Sequence, residues 1–231
     1  MRALLRRFCD ILLQLPARLL RLGKHFYHWD GDAAYASFSF GARLGFWLME
    51  LILLLLEIFG IGEWYDLASA ILKFQSRPLS IREQQLAQSI FGKSIRYASV
   101  RIDERAYLGP RQGRFCYVSF FNINSWGNLS DSLLIHELTH VWQYQRLGIC
   151  YIPRALAAQA THAGYNYGGN AGLLQALEAR RGLDFFNLEQ QADLIEDYFR
   201  RQNQLPAKWN QQPEFQLYKA LLARFFQPKN R

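Results

Sequence analysis

Apolar and polar positions alternate with helical spacing at the start of this chain. Across residues 2–22, Leu4, Leu5, Phe8, Ile11, Leu12 and Leu15 form a stripe with Arg2, Arg6 and Arg7 among them; Pro16 interrupts, and Leu19, Leu20 and Leu22 resume. A basic amphipathic helix of this kind either packs on a domain or lies on a membrane surface. Residues 44–61 are then almost continuously apolar, broken by Glu50 and Glu57. The stretch approaches bilayer thickness, but each acid near its middle costs about 3 kcal/mol in lipid. Seven residues apart, the two acids share one helix face. That predicts a core helix turning its acidic face to water, with lipid insertion as the alternative. A further helix is expected near residues 64–74, after Gly60 and Gly62.

Arg77-Pro78-Leu79-Ser80 breaks the pattern and divides a helical N-terminal segment, residues 1–76, from a second domain, residues 77–231. Ser80 with Glu83 reads as a capping box opening a helix through Phe91. Residues 97–103 and 114–123, rich in Val, Ile, Phe and Tyr, read as strands, with Gly109-Pro110 and Gly113 turning the chain between them. A long helix is expected from Ser130 or Asp131 to Leu147, stopped by Gly148. Pro153 opens another helical stretch, residues 165–170 are rich in turn formers, and helix resumes to Ala179. Asn187 with Gln190 makes a second capping box for a helix through Phe199, and residues 215–226 give a last amphipathic helix. The fold class expected is α+β, predominantly helical, with a small sheet.

The long helix contains His136-Glu137-Leu138-Thr139-His140, an H-E-x-x-H. Residues four apart stand on one helix face, so both imidazoles can reach one metal ion, with Glu137 beside it to take a proton from water. Hydrolytic zinc uses three protein ligands and leaves one position open. Glu189 is the expected third ligand. Asp193, four residues on, shares its face and can accept the outer N–H of a ligating histidine. Asp193 or Glu196 is the fallback ligand, and a merely solvated acidic face (Glu189, Asp193, Glu196, Asp197) is the plain alternative. An oxyanion formed in hydrolysis needs a donor besides the metal. Tyr165 and Tyr167 are the candidates, with His162 behind them; ordinary packing is the plain alternative for both tyrosines.

Composition narrows these readings. The chain has 231 residues, half of them apolar, and a formal charge of +8. Six Lys/Arg against Asp10 crowd residues 1–28, and seven against Glu214 crowd residues 199–231, so the middle is mildly acidic. Two basic ends suit anionic lipid or an acidic partner; no nucleic-acid partner is expected. Cys9, Cys116 and Cys150 include no CxxC, which excludes a disulfide framework and a cysteine metal site. Asp10 and Gln14 break the first apolar stretch, which makes a poor signal peptide.

His136, Glu137 and His140 followed by Glu189 and Asp193 resemble the gluzincins, zinc peptidases with HExxH on one helix and ExxxD on a later one. The resemblance implies a zincin-like domain holding Zn2+, its active helix packed under a small sheet whose edge strand binds an extended peptide or protein substrate. The strand expected over residues 114–123 precedes the active helix, as that scheme requires. More narrowly, HELTHVWQYQ and FFNLEQQADLIEDYF are similar to small bacterial Vgr-related proteins associated with type VI secretion. This implies a secreted effector, with a secretion-apparatus or immunity partner. The location implied is bacterial cytoplasm or membrane, or export without a cleavable signal peptide. The alternatives are a catalytically silent metal-binding adaptor, or a membrane-active toxin that touches the membrane through residues 1–61 and is regulated by a zinc domain. The N-terminal helices would also be placed to cover the cleft and hold an enzyme latent.

Overall fold

A computed structural model describes residues 2–27, 35, 37–73, 75–105, 116–212 and 214–223, without the side chains of residues 2–10, 70 and 71. Leu4, Leu5, Phe8 and Cys9 as side chains, the turn at Gly109-Pro110 and Gly113, Phe74, Arg114, and the last helix beyond Ala223 lie outside the described residues. The fold is α+β and predominantly helical. In chain order the elements are α1 (Arg2–Tyr27), α2 (Phe40–Ile58), α3 (Ile61–Leu72), β1 (Arg77–Pro78), α4 (Ile81–Phe91), β2 (Arg101–Asp103), β3 (Tyr117–Ser119) and β4 (Asn122–Asn124). They continue with α5 (Asp131–Leu147), α6 (Tyr151–Ala160), α7 (Gly169–Glu178), α8 (Leu188–Gln202) and α9 (Phe215–Leu222).

Local chemistry sets several boundaries. Ser80 Oγ accepts from the Glu83 N–H while Glu83 Oε2 accepts from the Ser80 N–H, which closes the capping box of α4. Arg77 forks onto Glu83 at 2.7 and 2.9 Å and reaches Glu104 at 2.6 Å, tying β1 to that cap and to the end of β2. Ser130 caps α5, and Asn187 with Gln190 forms the box that opens α8.

Three expectations about element boundaries change. Pro16 does not interrupt the first helix, which runs through it. Pro16 is exposed, so its ring meets open space rather than packed neighbours and the carbonyl it frees can turn to water. Residues 97–103 begin as a 3-10 turn, Tyr97–Ser99, and only then become β2. The strand expected over residues 114–123 is, where described, two strands, because Phe120 takes φ 58° and reverses the chain between β3 and β4.

The sheet order is β1-β2-β4-β3, with β2 and β4 parallel and the other pairs antiparallel. β3 is therefore an edge strand beside α5. Ile102 and Ile123 of the sheet, Phe91 of α4, and Leu134, Ile135 and Leu138 of α5 form one buried core with Leu194 and Ile195 of α8. Each such side chain contributes about 1.5–3 kcal/mol by leaving water. α5 and α8 are buried over residues 134–143 and 191–197, on every side rather than one. Central helices of this kind carry polar residues only where partners await them.

The N-terminal helices are built the other way round. Glu50 and Glu57 of α2 point inward and are buried, whereas Leu44, Leu48, Ile52, Leu55 and Leu56 are exposed. The expectation that the acidic face meets water is thus reversed. The cause is a set of distant cations. Arg154 of α6 reaches Glu50 at 2.8 Å, and Glu50 also meets His25 Nδ1 at 3.3 Å and accepts from Tyr35 Oη at 2.6 Å. Arg21 meets Glu57 at 2.9 Å, and Arg18 pairs with Glu63 and donates to the Glu57 carbonyl. Glu57 Oε1 also accepts from the Ile149 N–H at 3.1 Å, which docks α2 on the 3-10 turn Gly148–Cys150 at the end of α5. Gly148 makes this possible: its φ is +65°, and a Cβ there would lie 2.5 Å from Glu57 Oε1 and 2.7 Å from Arg21 Nε.

Candidate metal centre and cleft

One helical turn separates His136 from His140 on α5, and Glu189 stands opposite in the first turn of α8. All three are buried. His136 Nε2 lies 3.2 Å from His140 Nε2, and Glu189 Oε2 lies 3.6 and 3.3 Å from them respectively. Ligands about 2.0–2.1 Å from a tetrahedral zinc ion stand about 3.3–3.4 Å apart. The three donor atoms therefore already have the mutual spacing of a zinc triad, and nitrogen with carboxylate oxygen is a donor set that zinc accepts.

The surroundings fix which atoms face inward. Gln191 Nε2 donates to the carbonyls of Leu183 and Phe186, at 3.1 and 3.0 Å, so its Oε1 is free to accept. It accepts from Gln143 Nε2, which also donates to the Leu188 carbonyl. Gln143 Oε1 must then accept from His140 Nδ1, 2.8 Å away. The proton of His140 is thereby placed on Nδ1, and Nε2 keeps its lone pair. Glu189 is oriented similarly, its Oε1 taking a hydrogen bond from Gln159 at 2.8 Å while Oε2 turns to the histidines. Behind His136, Asp193 Oδ1 stands 2.8 Å from Nδ1, in a bent approach rather than along the N–H axis, and Glu196 Oε2 is 3.4 Å away. Lys208 bridges Asp193 and Glu196 at 3.2 and 2.6 Å, Arg200 holds the other oxygen of Glu196, and the Trp209 indole donates to Asp193.

His136, Asp193 and Glu196 could also gather round an ion. Lys208 and Arg200 already neutralise those carboxylates, whereas the ion pairs of Glu189, among the described residues, run only to His136 and His140. The charge balance agrees. Burial alone would lower His136, yet Asp193, Glu189 and Glu196 push it well above an ordinary histidine; His140 is likewise lowered by burial but raised overall, chiefly by Glu189. Burial would raise Glu189, and the two histidines draw it below the usual carboxylate range; Glu196, similarly opposed by burial, is held at about 2 by His136 and Lys208. Left to protons alone, the pocket recruits them onto imidazoles. It is built to hold positive charge, and a divalent cation supplies that charge without protonating the ligands.

Glu137 is buried and points to a cleft of about 760 Å³, with no hydrogen-bond partner on Oε2. Burial raises its carboxyl, against the pull of His136 and His140. The edge strand β3 forms one wall, and Tyr151, Ile152 and Ala155 of α6 form another. Tyr165 lines the cleft and stacks on His136, ring centroids 6.3 Å apart. Its phenol is raised by burial and then by Glu189, so it stays a hydrogen-bond donor. The structure does not bring Tyr167 to the cleft: its hydroxyl is buried against Asp197, at 2.7 Å, and Tyr218, in the core beneath α8. His162 is exposed and also outside the lining. None of the described residues of α1, α2 or α3 lines the cleft, so they do not cover it.

Sequence reasoning passed over Gln143, Gln159, Gln191, Lys208 and Trp209. Gln143, three residues beyond His140, was within reach of helical spacing. The others come from distant elements and leave no local trace.

A curated relative, the type VI secretion system spike protein VgrG2b of Pseudomonas aeruginosa, is 32% identical over 142 residues, covering 55% of this chain. The chain spans only 13% of that much longer protein. No family model matches the chain, and no solved structure matches it.

Proposed function

We propose that this chain is a zinc-dependent metallopeptidase of the gluzincin kind, working alongside a bacterial type VI secretion apparatus. The carrying observation is the triangle of His136 Nε2, His140 Nε2 and Glu189 Oε2 at zinc-ligand spacing, with Glu137 Oε2, which has no hydrogen-bond partner, beside it. A bound zinc ion would supply Lewis acidity toward a carbonyl and make a neighbouring water easier to deprotonate. The rest belongs to the chain. Glu137 accepts the water's proton and returns it to the leaving amine. Tyr165, which lines the cleft beside His136, donates to the developing oxyanion. The free edge of β3 offers backbone groups to an extended peptide. Gln143 and Asp193 hold the two imidazoles so that their Nε2 atoms stay turned inward.

The type VI setting rests on the similarity to VgrG2b. A silent metal-binding adaptor in such an assembly is the rival, and Glu137 separates the two, because a structural metal site has no use for a buried base. Wild type and Glu137→Gln should both carry one zinc per chain by elemental analysis. Only wild type should cut a mixed peptide library, and a chelator should stop it. Equal cutting by the two proteins, or metal-loaded wild type that cuts nothing, would reject the peptidase reading.

A further inference from the structure

The most unusual surface of the molecule lies far from the metal centre. α1 and α2 form an antiparallel hairpin, with His25 stacked on Trp47 and Arg18 and Arg21 reaching Glu57 and Glu63. Its interior is charged and its exterior is apolar. Arg18 is 3% exposed and Glu50 2%, whereas Ile52 is 59% exposed and Leu13 78%. Every exposed position within α2 is glycine, leucine, isoleucine or phenylalanine, and on α1 from residue 11 onward Lys24 is the one charged exposed residue. Large apolar side chains are exposed along all three helices, from Leu12 and Leu13 through Ile52 and Phe59 to Trp64 and Leu72, whereas an ordinary soluble monomer rarely exposes a contiguous apolar patch above a few hundred Å².

We infer that the α1–α3 hairpin embeds in a lipid bilayer, with its apolar exterior in the acyl region and its charged interior facing the catalytic body. Three observations select lipid over other occupants. First, the polarity is inverted over the described side chains of the hairpin. Glu50, Glu57 and Glu63 are each paired with an arginine, as ionisable groups at membrane depth must be. A protein partner would bury one face; lipid accounts for apolar exposure on both helices. Second, α2 is 19 residues of helix whose exposed side is apolar from end to end, as in a helix lying in the interface. Exposed aromatic rings sit at its two ends, with Phe26, Tyr27 and Phe40 at one and Phe59 and Trp64 at the other, as rings gather at membrane interfaces. Third, Arg2, Arg6 and Arg7 crowd the start of α1 against Asp10 alone, which draws this end of the chain to anionic headgroups. Among the described residues no single helix is long and apolar enough to cross a membrane, and α2 with α3 qualifies only as a pair bent by 71°. The hairpin therefore embeds as a bent wedge rather than as a straight span.

This placement has a functional corollary. α6 lies between hairpin and cleft, with Arg154 on Glu50 and Tyr151, Ile152 and Ala155 in the cleft wall. The cleft is thus about one helix width, roughly 10 Å, from the lipid-facing module. Substrates would be met at the membrane surface.

Flotation of the full chain with vesicles tests the inference, with a chelator present so that catalysis plays no part. The vesicles are an equal mixture of phosphatidylcholine and phosphatidylglycerol. Wild type should float with them, and high salt should weaken but not abolish the association. Leu48→Gln/Ile52→Gln/Leu56→Gln alters three exposed side chains, so the fold should survive by circular dichroism, while vesicle partition should fall roughly tenfold or more. Three outcomes overturn the inference: folded wild type that stays free of vesicles, a triple variant that floats equally well, or a lipid-free dimer that the triple variant dissolves. The last would assign the face to a second copy. None of these bears on the peptidase assay.

Discussion

Two clusters of buried charge flank α5, one at its C-terminal end and one at its middle. In the N-terminal cluster Arg18, Arg21, Arg154 and His25 meet Glu50, Glu57 and Glu63, and each acid has its cation. In the metal cluster Glu137, Glu189, Asp193 and Glu196 are answered by Lys208 and Arg200 on one side alone, and Glu137 with Glu189 faces two imidazoles. The first cluster is closed and holds parts together. The second lacks positive charge, opens to a cleft, and is left with something to bind. Buried charge alone says little about function; whether its balance is complete says a good deal.

Perturbing each cluster should give opposite signatures. The largest effect belongs to the open one: Glu137→Gln should lose about 10³-fold in peptide cleavage, about 4 kcal/mol of transition-state stabilisation, with zinc content unchanged. Next comes the closed one. Glu57→Ala strands Arg21 and the Ile149 N–H, and should cost about 3 kcal/mol in a denaturant titration with little change in zinc affinity. Gln143→Leu should weaken zinc binding about 10- to 100-fold in a competition titration, because His140 then loses the acceptor that places its proton. The smallest effect lies outside both clusters. The Glu83 carboxyl is held down from 4.5 to about 2, first by Arg77. Its lowered folded-state pKa adds stability that is complete above the unfolded value and lost as pH falls through 4.5 toward 2. Glu83→Gln should remove that part of the acid dependence in thermal melts, its deficit being largest at neutral pH and closing as pH falls toward 2.

Local features were legible in the sequence because they are set by residues three or four apart. The Ser80 and Asn187 capping boxes, the Ser130 cap and the pairing of His136 with His140 all lie where spacing places them. Glu189 and Asp193 meet the histidines as expected, since ExxxD also follows one helix face. What depended on remote partners was not legible. Glu50 and Glu57 were seen to share a face, but which way that face turns was decided by Arg21 and Arg154, 36 and 104 residues away. Tyr167 lies close in sequence to Tyr165, yet it faces the core because Asp197 and Tyr218 claim its hydroxyl.

Gly148 carries a last consequence, an evolutionary one. The position ends α5 in a backbone conformation that favours glycine, and a single added carbon would meet the Glu57 carboxylate and the Arg21 guanidinium. Mutational paths through it are therefore ordered. While Glu57 and Arg21 remain, an alanine would have to push their side-chain tips apart as well as take a strained backbone; once the hairpin or its ion pair is lost, only the backbone still restrains the site. Residue 148 is therefore held less tightly after the N-terminal helices have gone than before.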